Sequence, residues 1–117
     1  AWIDWNLILD ENGGPNHVGN YCSAPIIVDT RSQDIFYQSS YYYLGHFSRF
    51  IKRGDRIIEC ENKTDKLLAL ASINDSWITS TILMNKNNSQ QNCTYMNGDV
   101  VLDLCIPSRS IVTLVNA

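Results

Sequence analysis

The chain has 117 residues, of which 44% are hydrophobic and 18% are charged, and its formal net charge is −3. These values predict a globular domain that is soluble or at most peripheral to a membrane, because no apolar run approaches the ~18 residues of a membrane span. A nucleic-acid partner is excluded, since it would require a basic surface able to neutralise phosphates.

The marks of cellular location are cysteines and glycosylation sequences. The chain begins at Ala1-Trp2-Ile3 with neither an initiator Met nor a signal-peptide pattern. We therefore expect a cut inside a longer polypeptide, with any targeting signal upstream. Four cysteines and four Asn-x-Ser/Thr sequences (sequons) indicate the secretory route. The expected glycosylation sites are Asn62, Asn74, Asn87 and Asn92.

The cysteines are Cys22, Cys60, Cys93 and Cys105, and four cysteines allow three pairings. Cys93 and Cys105 flank an Asn97-Gly98 turn, which favours that pair. The alternative for Cys22 and Cys60 is that they are buried free thiols. Cysteine and histidine spacings lack the pairs that typify zinc sites, so no metal and no cofactor are predicted.

The first predicted element is a buried strand over the apolar run Trp2 to Leu9. The polar run from Asp10 to Asn16, with its Gly and Pro residues, predicts a loop after it. A short extended segment follows at Ile26 to Val28, because Pro25 disfavours a helical residue before it.

A helix is predicted from about Tyr37 to Ile51. Apolar residues recur there at steps of three and four, at Tyr37, Tyr41, Leu44, Phe47 and Ile51. Lys52 and Arg53 supply a cationic last turn and Gly54 a stop. We expect this helix to cover a sheet.

After Gly54 the pattern is typical of an all-β domain. Five strands are predicted near residues 55–61, 66–73, 77–84, 99–106 and 109–115, at the short spacing of β-sandwiches. Asn97-Gly98 predicts a type I′ hairpin turn before the fourth of these strands.

Four stretches of the first half carry a resemblance to a known family. They are Asp4-Trp5-Asn6-Leu7, Gly13-Gly14-Pro15-Asn16, Ala24-Pro25-Ile26-Ile27-Val28-Asp29 and Tyr42-Tyr43-Leu44-Gly45-His46-Phe47-Ser48-Arg49-Phe50-Ile51. Together they resemble the C-terminal end of the glucosylceramidases of glycoside hydrolase family 30. The resemblance implies that residues 1–53 are the last strand and helix of a (β/α)8 TIM barrel, and that residues 54–117 form most of a β-sandwich domain.

The resemblance also implies three substrate-binding residues. In this family the Trp of the Asp-Trp-Asn motif lines the glucose pocket, which makes Trp5 the first candidate, with Asp4 bracing its neighbours. An indole offers a flat apolar face to a sugar ring, although an arbitrary buried Trp more often fills a core. The segment His17 to Cys22, called the rim loop below, matches a flexible family loop that places an Asn and an aromatic residue at the pocket. Asn20 and Tyr21 hold those positions, whereas His17 departs from the family's usual Trp.

Glycoside hydrolysis needs two carboxyl groups, and the chain has only three glutamates. Glu59 and Glu61 are expected on one solvated face of a strand, and Glu11 in a surface turn. The family's acid/base and nucleophile glutamates follow barrel strands four and seven, so both would lie upstream of Ala1. The chain alone is therefore predicted to be inactive, with no catalytic residue of its own.

The family resemblance implies hydrolysis of glucosylceramide with retention, in a lysosomal or secreted enzyme. The implied partners are the glycosphingolipid at a membrane surface, the remainder of the parent enzyme and a lipid-presenting activator protein. Two alternatives remain open: a secreted β-sandwich that binds carbohydrate or protein, and a family 30 hydrolase of another β-linked glycan. The basic residues Arg49, Lys52, Arg53 and Arg56 suit a helix C-terminus or, alternatively, anionic lipid headgroups.

Overall fold

The computed structural model describes residues 3–116, which form one helix and nine strands. The elements in chain order are β1 (Ile8–Asp10), β2 (Ile26–Val28), β3 (Ile35–Tyr37), α1 (Ser39–Phe50), β4 (Arg56–Ile58), β5 (Leu67–Ile73), β6 (Thr79–Asn85), β7 (Gln91–Asn97), β8 (Val100–Ile106) and β9 (Ser110–Asn116). They divide into two compact units, residues 1–45 and 46–117, whose boundary falls inside α1.

Unit 1 contains a small three-stranded sheet in which β2 is central. β2 pairs in parallel with β1, placing Leu9 opposite Ile27, and antiparallel with β3, placing Ile27 opposite Phe36. The strand predicted over Trp2 to Leu9 is wrong in extent, since regular pairing begins only at Ile8. Asn6 has φ 56°, and a left-handed residue interrupts an extended run. Trp2, at the start of that prediction, lies outside the described residues.

The predicted helix is confirmed as α1, with its start moved from Tyr37 to Ser39 because Tyr37 ends β3. The cationic end is also confirmed: Lys52 Nζ donates to Ser48 O at 3.3 Å. The helix was expected to cover a sheet, but no α1 side chain is fully buried, so this expectation is met only in part. His46 joins α1 to β9 through Thr113, with Nδ1 2.7 Å from Oγ1, and burial lowers the pKa of its imidazole.

Unit 2 contains a four-stranded antiparallel sheet in the order β4-β5-β6-β9 and a separate β7–β8 hairpin. The all-β prediction after Gly54 is confirmed, although β7 was missed. The turn also differs from the expected type I′: Asn97 pairs with Val100, which leaves Gly98 and Asp99 as the loop. Only Gly98 of these two has positive φ, at 58°, as in a type II′ turn.

The hairpin packs on one face of the four-stranded sheet. The buried centre is Leu67, Leu83 and Ile106, against which Cys93 and Leu104 also pack. Polar contacts extend the interface. Asn97 Nδ2 donates to Thr79 Oγ1 at 2.6 Å, and the hydroxyls of Thr81 and Tyr95 lie 3.3 Å apart.

All four cysteines are free thiols in the part of the chain that the structure describes. The favoured Cys93–Cys105 pairing is wrong because of strand register. Cys93 lies opposite Leu104 and Cys105 lies opposite Asn92, so the two sulfur-bearing side chains occupy opposite faces of the hairpin. Two residues that flank a turn do not face each other when they are one residue out of register, because successive side chains of a strand point to opposite faces.

Candidate functional site

The turn that follows β1 is organised by the carboxylate of Asp10. Its Oδ1 accepts hydrogen bonds from Gly14 N at 2.7 Å and Asn12 N at 2.9 Å. Two backbone bonds complete the closure, from Gly13 N to Asp10 O at 3.0 Å and from Asp10 N to Gly14 O at 2.6 Å. A short acceptor that satisfies successive backbone donors is the typical chemistry of such a turn.

Gly13 brings this turn against the end of the rim loop. A Cβ added there would lie 2.5 Å from Cys22 O and 2.8 Å from Cys22 N, and the residue has φ +77°. Two independent features therefore require glycine at position 13: the positive φ, and the close approach of the Cys22 backbone. The contact fixes Cys22, the residue directly after Asn20 and Tyr21.

Glu11 ties the same turn to the connection between β2 and β3. Its carboxylate accepts hydrogen bonds from Thr30 N at 2.9 Å and Thr30 Oγ1 at 3.0 Å, and Arg31 Nε lies 3.9 Å away. The backbone hydrogen bond from Thr30 is the main cause that lowers the pKa of Glu11 below its ordinary value of 4.5. A lowered pKa is the opposite of what a general acid needs, and both carboxylate oxygens accept hydrogen bonds from Thr30, so the geometry gives Glu11 a structural role.

The three predicted substrate-binding residues all lie in unit 1 with their side chains exposed. Trp5 is 76% exposed and Tyr21 is 73% exposed. Asn20 is also exposed, as is His17 at the start of the rim loop. Asp4 braces Trp5 as expected from its position, since its Oδ1 accepts the Trp5 backbone N–H at 2.9 Å. Within residues 3–116 no hydrogen bond or ring contact joins the three candidate side chains to one another.

Glu59 and Glu61 are exposed but do not lie on a strand, because β4 ends at Ile58. Glu61 forms a solvent-exposed ion pair with Lys63 at 3.7 Å. The predicted arrangement of both glutamates on one strand face is thus wrong. Both line the cavity described next, but they remain exposed, whereas a catalytic acid needs a desolvating pocket.

A cavity of about 480 Å³ lies in unit 2 between the segment after β4 and strand β7. Its lining includes Cys60, Leu67, Leu83 and Cys93, and burial raises the pKa of the Cys93 thiol. A raised thiol pKa keeps the sulfur protonated and unreactive.

Residues 3–116, which the structure describes, contain no cluster of three His, Cys, Asp or Glu side chains placed to hold a metal ion. α1 is too short and too polar to cross a bilayer.

Sequence patterns do not identify the roles of Gly13 and Glu11. They predict Gly13 only as a turn residue and Glu11 only as a surface turn residue. The contacts that give them roles join Gly13 to Cys22 and Glu11 to Thr30, across 9 and 19 residues of chain. The one available signal was the Gly13-Gly14 pair, which marks a close backbone approach without naming its partner.

Comparison with known proteins places this chain among glycoside hydrolases. Residues 1–51 match the Glycosyl hydrolase family 30 TIM-barrel domain. The lysosomal acid glucosylceramidase of Mus musculus is 33% identical over 115 residues, which cover 97% of this chain and 22% of the mouse protein.

Two solved structures share the fold. SrfJ from Salmonella typhimurium has a TM-score of 0.90 at 31% identity, covering 96% of this chain and 25% of SrfJ. The endo-beta1,6-glucanase BT3312 has a TM-score of 0.81 at 26% identity, covering 93% of this chain and 25% of the glucanase. The chain thus spans about a quarter of the length of the proteins it matches. Residues 1–51 thus match glycosyl hydrolase family 30, and nearly all of the chain is similar in sequence and fold to part of these longer proteins.

Proposed function

We propose that this chain forms part of a retaining β-glucosidase that hydrolyses glucosylceramide to glucose and ceramide. In this proposal residues 1–53 end the catalytic (β/α)8 barrel and residues 54–117 form the adjoining β-sandwich. The observation that carries it is the 33% identity with a lysosomal acid glucosylceramidase along 97% of the chain.

The substrate-binding role falls to Trp5, Asn20 and Tyr21. Supporting this role, the Trp5 and Tyr21 rings are largely exposed and available to a sugar, since neither is used in a core of unit 1. Supporting it further, the Gly13–Cys22 contact and the Glu11–Thr30 bonds restrain the segment that carries Asn20 and Tyr21. Restraint of binding side chains before the substrate arrives reduces the entropic cost of recognition.

Both catalytic glutamates belong to another part of the protein in this proposal. The three glutamates of the chain are poor candidates: both carboxylate oxygens of Glu11 accept hydrogen bonds from Thr30, and Glu59 and Glu61 are exposed to solvent. A retaining glycosidase needs two carboxyl groups about 5 to 5.5 Å apart, one of them kept protonated. The 117-residue chain is therefore expected to be inactive alone.

The remainder of the enzyme is the partner that we assign to the apolar residues of unit 1. Ile3, Leu7 and Val18 are largely exposed, with Ile3 at 93%. Large exposed apolar patches usually mark an interaction site, and in this proposal these side chains contribute to one. The matched relatives are about four times longer than this chain, which supplies polypeptide to cover it. The proposal places the enzyme in the lysosome, with glucosylceramide at a membrane surface and a lipid-presenting activator protein.

The experiment compares the intact protein with the isolated chain on glucosylceramide and on a synthetic β-glucoside. We expect hydrolysis with retained anomeric configuration by the intact protein only. Hydrolysis by the isolated chain would overturn the assignment of the acids elsewhere. An intact protein no longer than this chain, which binds sugar without cleaving it, would instead favour a secreted β-sandwich binding module.

A second candidate function keeps the family and changes the glycan. It is favoured by the likeness to the endo-beta1,6-glucanase BT3312 at TM-score 0.81. Adding a β-1,6-linked glucan to the same assay separates the two, since a preference for the glucan by kcat/KM would reject glucosylceramide as substrate.

A further inference from the structure

The four sequons differ in what their Asn side chains do in the fold. N-glycosylation forms a bond between Asn Nδ2 and the anomeric carbon of the first sugar. The anomeric C–O bond of a polyprenyl-diphosphate oligosaccharide breaks, the diphosphate leaves, and the proton from Nδ2 passes to solvent. A primary amide has two N–H donors, so a glycosylated Asn retains one.

Asn87 uses both of these hydrogens. Its Nδ2 donates to Lys66 O at 2.6 Å and to Asn85 Oδ1 at 3.0 Å. Its backbone N–H donates to the same Asn85 Oδ1 at 2.9 Å. The side chain therefore bridges the β6–β7 connection to the start of β5 and has no hydrogen left for a glycosidic bond.

The partner of Asn87 is the most buried polar residue of unit 2. Asn85 is 0% exposed, and its Nδ2 lies within hydrogen-bond distance of Ser89 O, Ile106 O and Pro107 O. A glycosylated Asn87 would keep one N–H, so it could donate to Lys66 O or to Asn85 Oδ1 but not to both. It would also place a bulky sugar beside a buried polar cluster, so glycosylation before folding would oppose completion of this cluster.

Asn74 presents the opposite arrangement. It caps the β5–β6 turn with its oxygen alone, since Oδ1 accepts Ser76 N and Ile78 N, both at 2.9 Å. Trp77 N donates to Asn74 O at 3.0 Å, so these two residues are the ends of one tight turn. Trp77, at the other end of this turn, is 76% exposed with φ 63°, so its indole is accessible to solvent and available to a first sugar.

Asn92 also keeps its amide nitrogen available. It is exposed, and its Oδ1 accepts Gln90 Nε2 at 3.2 Å. It pairs with Cys105 on the face of the hairpin that carries the exposed Met96 and Val101. A glycan there would shield these two side chains from water. Asn62 is exposed and gives one amide hydrogen to Leu67 O at 2.7 Å, so the discrimination rests on the other three sites.

We propose that Asn74 and Asn92 carry N-linked glycans, whereas Asn87, although it lies in a sequon, remains unmodified because its amide is part of the Asn85 cluster. The inference rests on the secretory location in the proposed function. It does not depend on which β-glucoside is cleaved.

The test is peptide mass spectrometry of the native intact protein after an amidase has released the glycans, which converts each occupied Asn to Asp. We expect Asp at positions 74 and 92 and Asn at 87. Asp at 87, or unconverted Asn at 74 or 92, would overturn the proposal. β-Glucosidase activity and lysosomal location, measured on the same material, decide the proposed function separately.

Variants at the Ser or Thr of each sequon remove the glycosylation signal and leave the Asn side chain in place. S76A and T94A should each remove one glycan, and T94S should retain it. S89A, which leaves the Asn87 side chain in place, should not change the glycan mass. A loss of one glycan in S89A would contradict an unmodified Asn87.

Discussion

The two units of the chain differ in which polar and apolar side chains they bury. In unit 2 hydrogen-bonded side chains such as Asn85, Thr79 and Thr81 are buried beside an apolar cluster, and the strands hold long registers. In unit 1 the strands have only three residues each, while Trp5 and Tyr21 remain largely exposed. Unit 2 thus supplies its own stability, whereas unit 1 offers surface held in place by a few loop contacts. Stability and the candidate substrate site therefore depend on different parts of the chain.

The largest stability effect is expected in unit 2, from N85A. Its side chain is fully buried and serves three carbonyl oxygens and two N–H groups. Removing it leaves several buried groups unpaired, which should cost about 3 kcal/mol or more. Thermal unfolding of the intact protein measures the loss. Q90A, an exposed change in the same connection, is the control and should cost less than about 0.5 kcal/mol. Equal losses in the two variants would refute the idea that unit 2 depends on this cluster.

In unit 1 the corresponding test is G13A against G19A. Both glycines have positive φ, +77° and +67°, but only Gly13 has another backbone within 3 Å of an added Cβ. G19A should cost about 1 kcal/mol from backbone strain alone. G13A should cost about 2 kcal/mol or more and raise KM for a β-glucoside, because it displaces Cys22 and the rim loop. If KM rises equally in both variants, the Gly13–Cys22 contact does not position the site.

A smaller effect of opposite sign is expected at the β5–β6 turn. Trp77 has φ 63°, a conformation that glycine adopts without steric cost. W77G should stabilise unglycosylated protein by about 1 kcal/mol. Thermal unfolding after glycan removal measures it, with W77A as the control for loss of the indole alone. A destabilised W77G would show that the indole makes contacts worth more than the strain.

The smallest effect concerns pH and Glu11. Since its pKa is lowered in the fold, ionised Glu11 stabilises unit 1 above its unfolded pKa, and this stability is lost as pH falls through the folded value. E11Q should lower the melting temperature near neutral pH and reduce the further loss below about pH 4.5. E61Q, which changes an exposed pair with Lys63, is the matched control and should leave the profile unchanged. If the melting temperatures of E11Q and wild type depend on pH in the same way, ionised Glu11 does not stabilise unit 1.

Sequence patterns predicted the elements that depend on local periodicity and missed those that depend on distant partners. Helix α1 and strands β5, β6, β8 and β9 were found because apolar spacing and stop residues are local signals. Strand β7 reads Gln-Asn-Cys-Thr-Tyr-Met-Asn, which is largely polar, and it is a strand because β8 pairs with it. For the same reason the turn type and the cysteine faces were wrong, since both follow from the register of that pair.

The residues of the candidate site also separate into those with a local sequence signal and those whose role depends on a distant partner. Trp5, Asn20 and Tyr21 were proposed from short motifs, which are readable along the chain. The contacts that restrain the site could not be predicted, because Glu11, for example, acquires its role only when Thr30 is folded next to it. A lowered carboxyl pKa is likewise a property of that contact and has no sequence signature.

The central claim, that unit 1 supplies the wall of a glucose pocket, is tested most directly by a pair of tryptophans. Trp5 in unit 1 and Trp77 in unit 2 are each 76% exposed, so W5A and W77A remove the same side chain from equally accessible positions. The measurement is kcat/KM of the intact protein on a synthetic β-glucoside. We predict a loss of at least about tenfold for W5A, roughly 1.4 kcal/mol of transition-state binding, and none for W77A. Equal kcat/KM in both variants would contradict the claim.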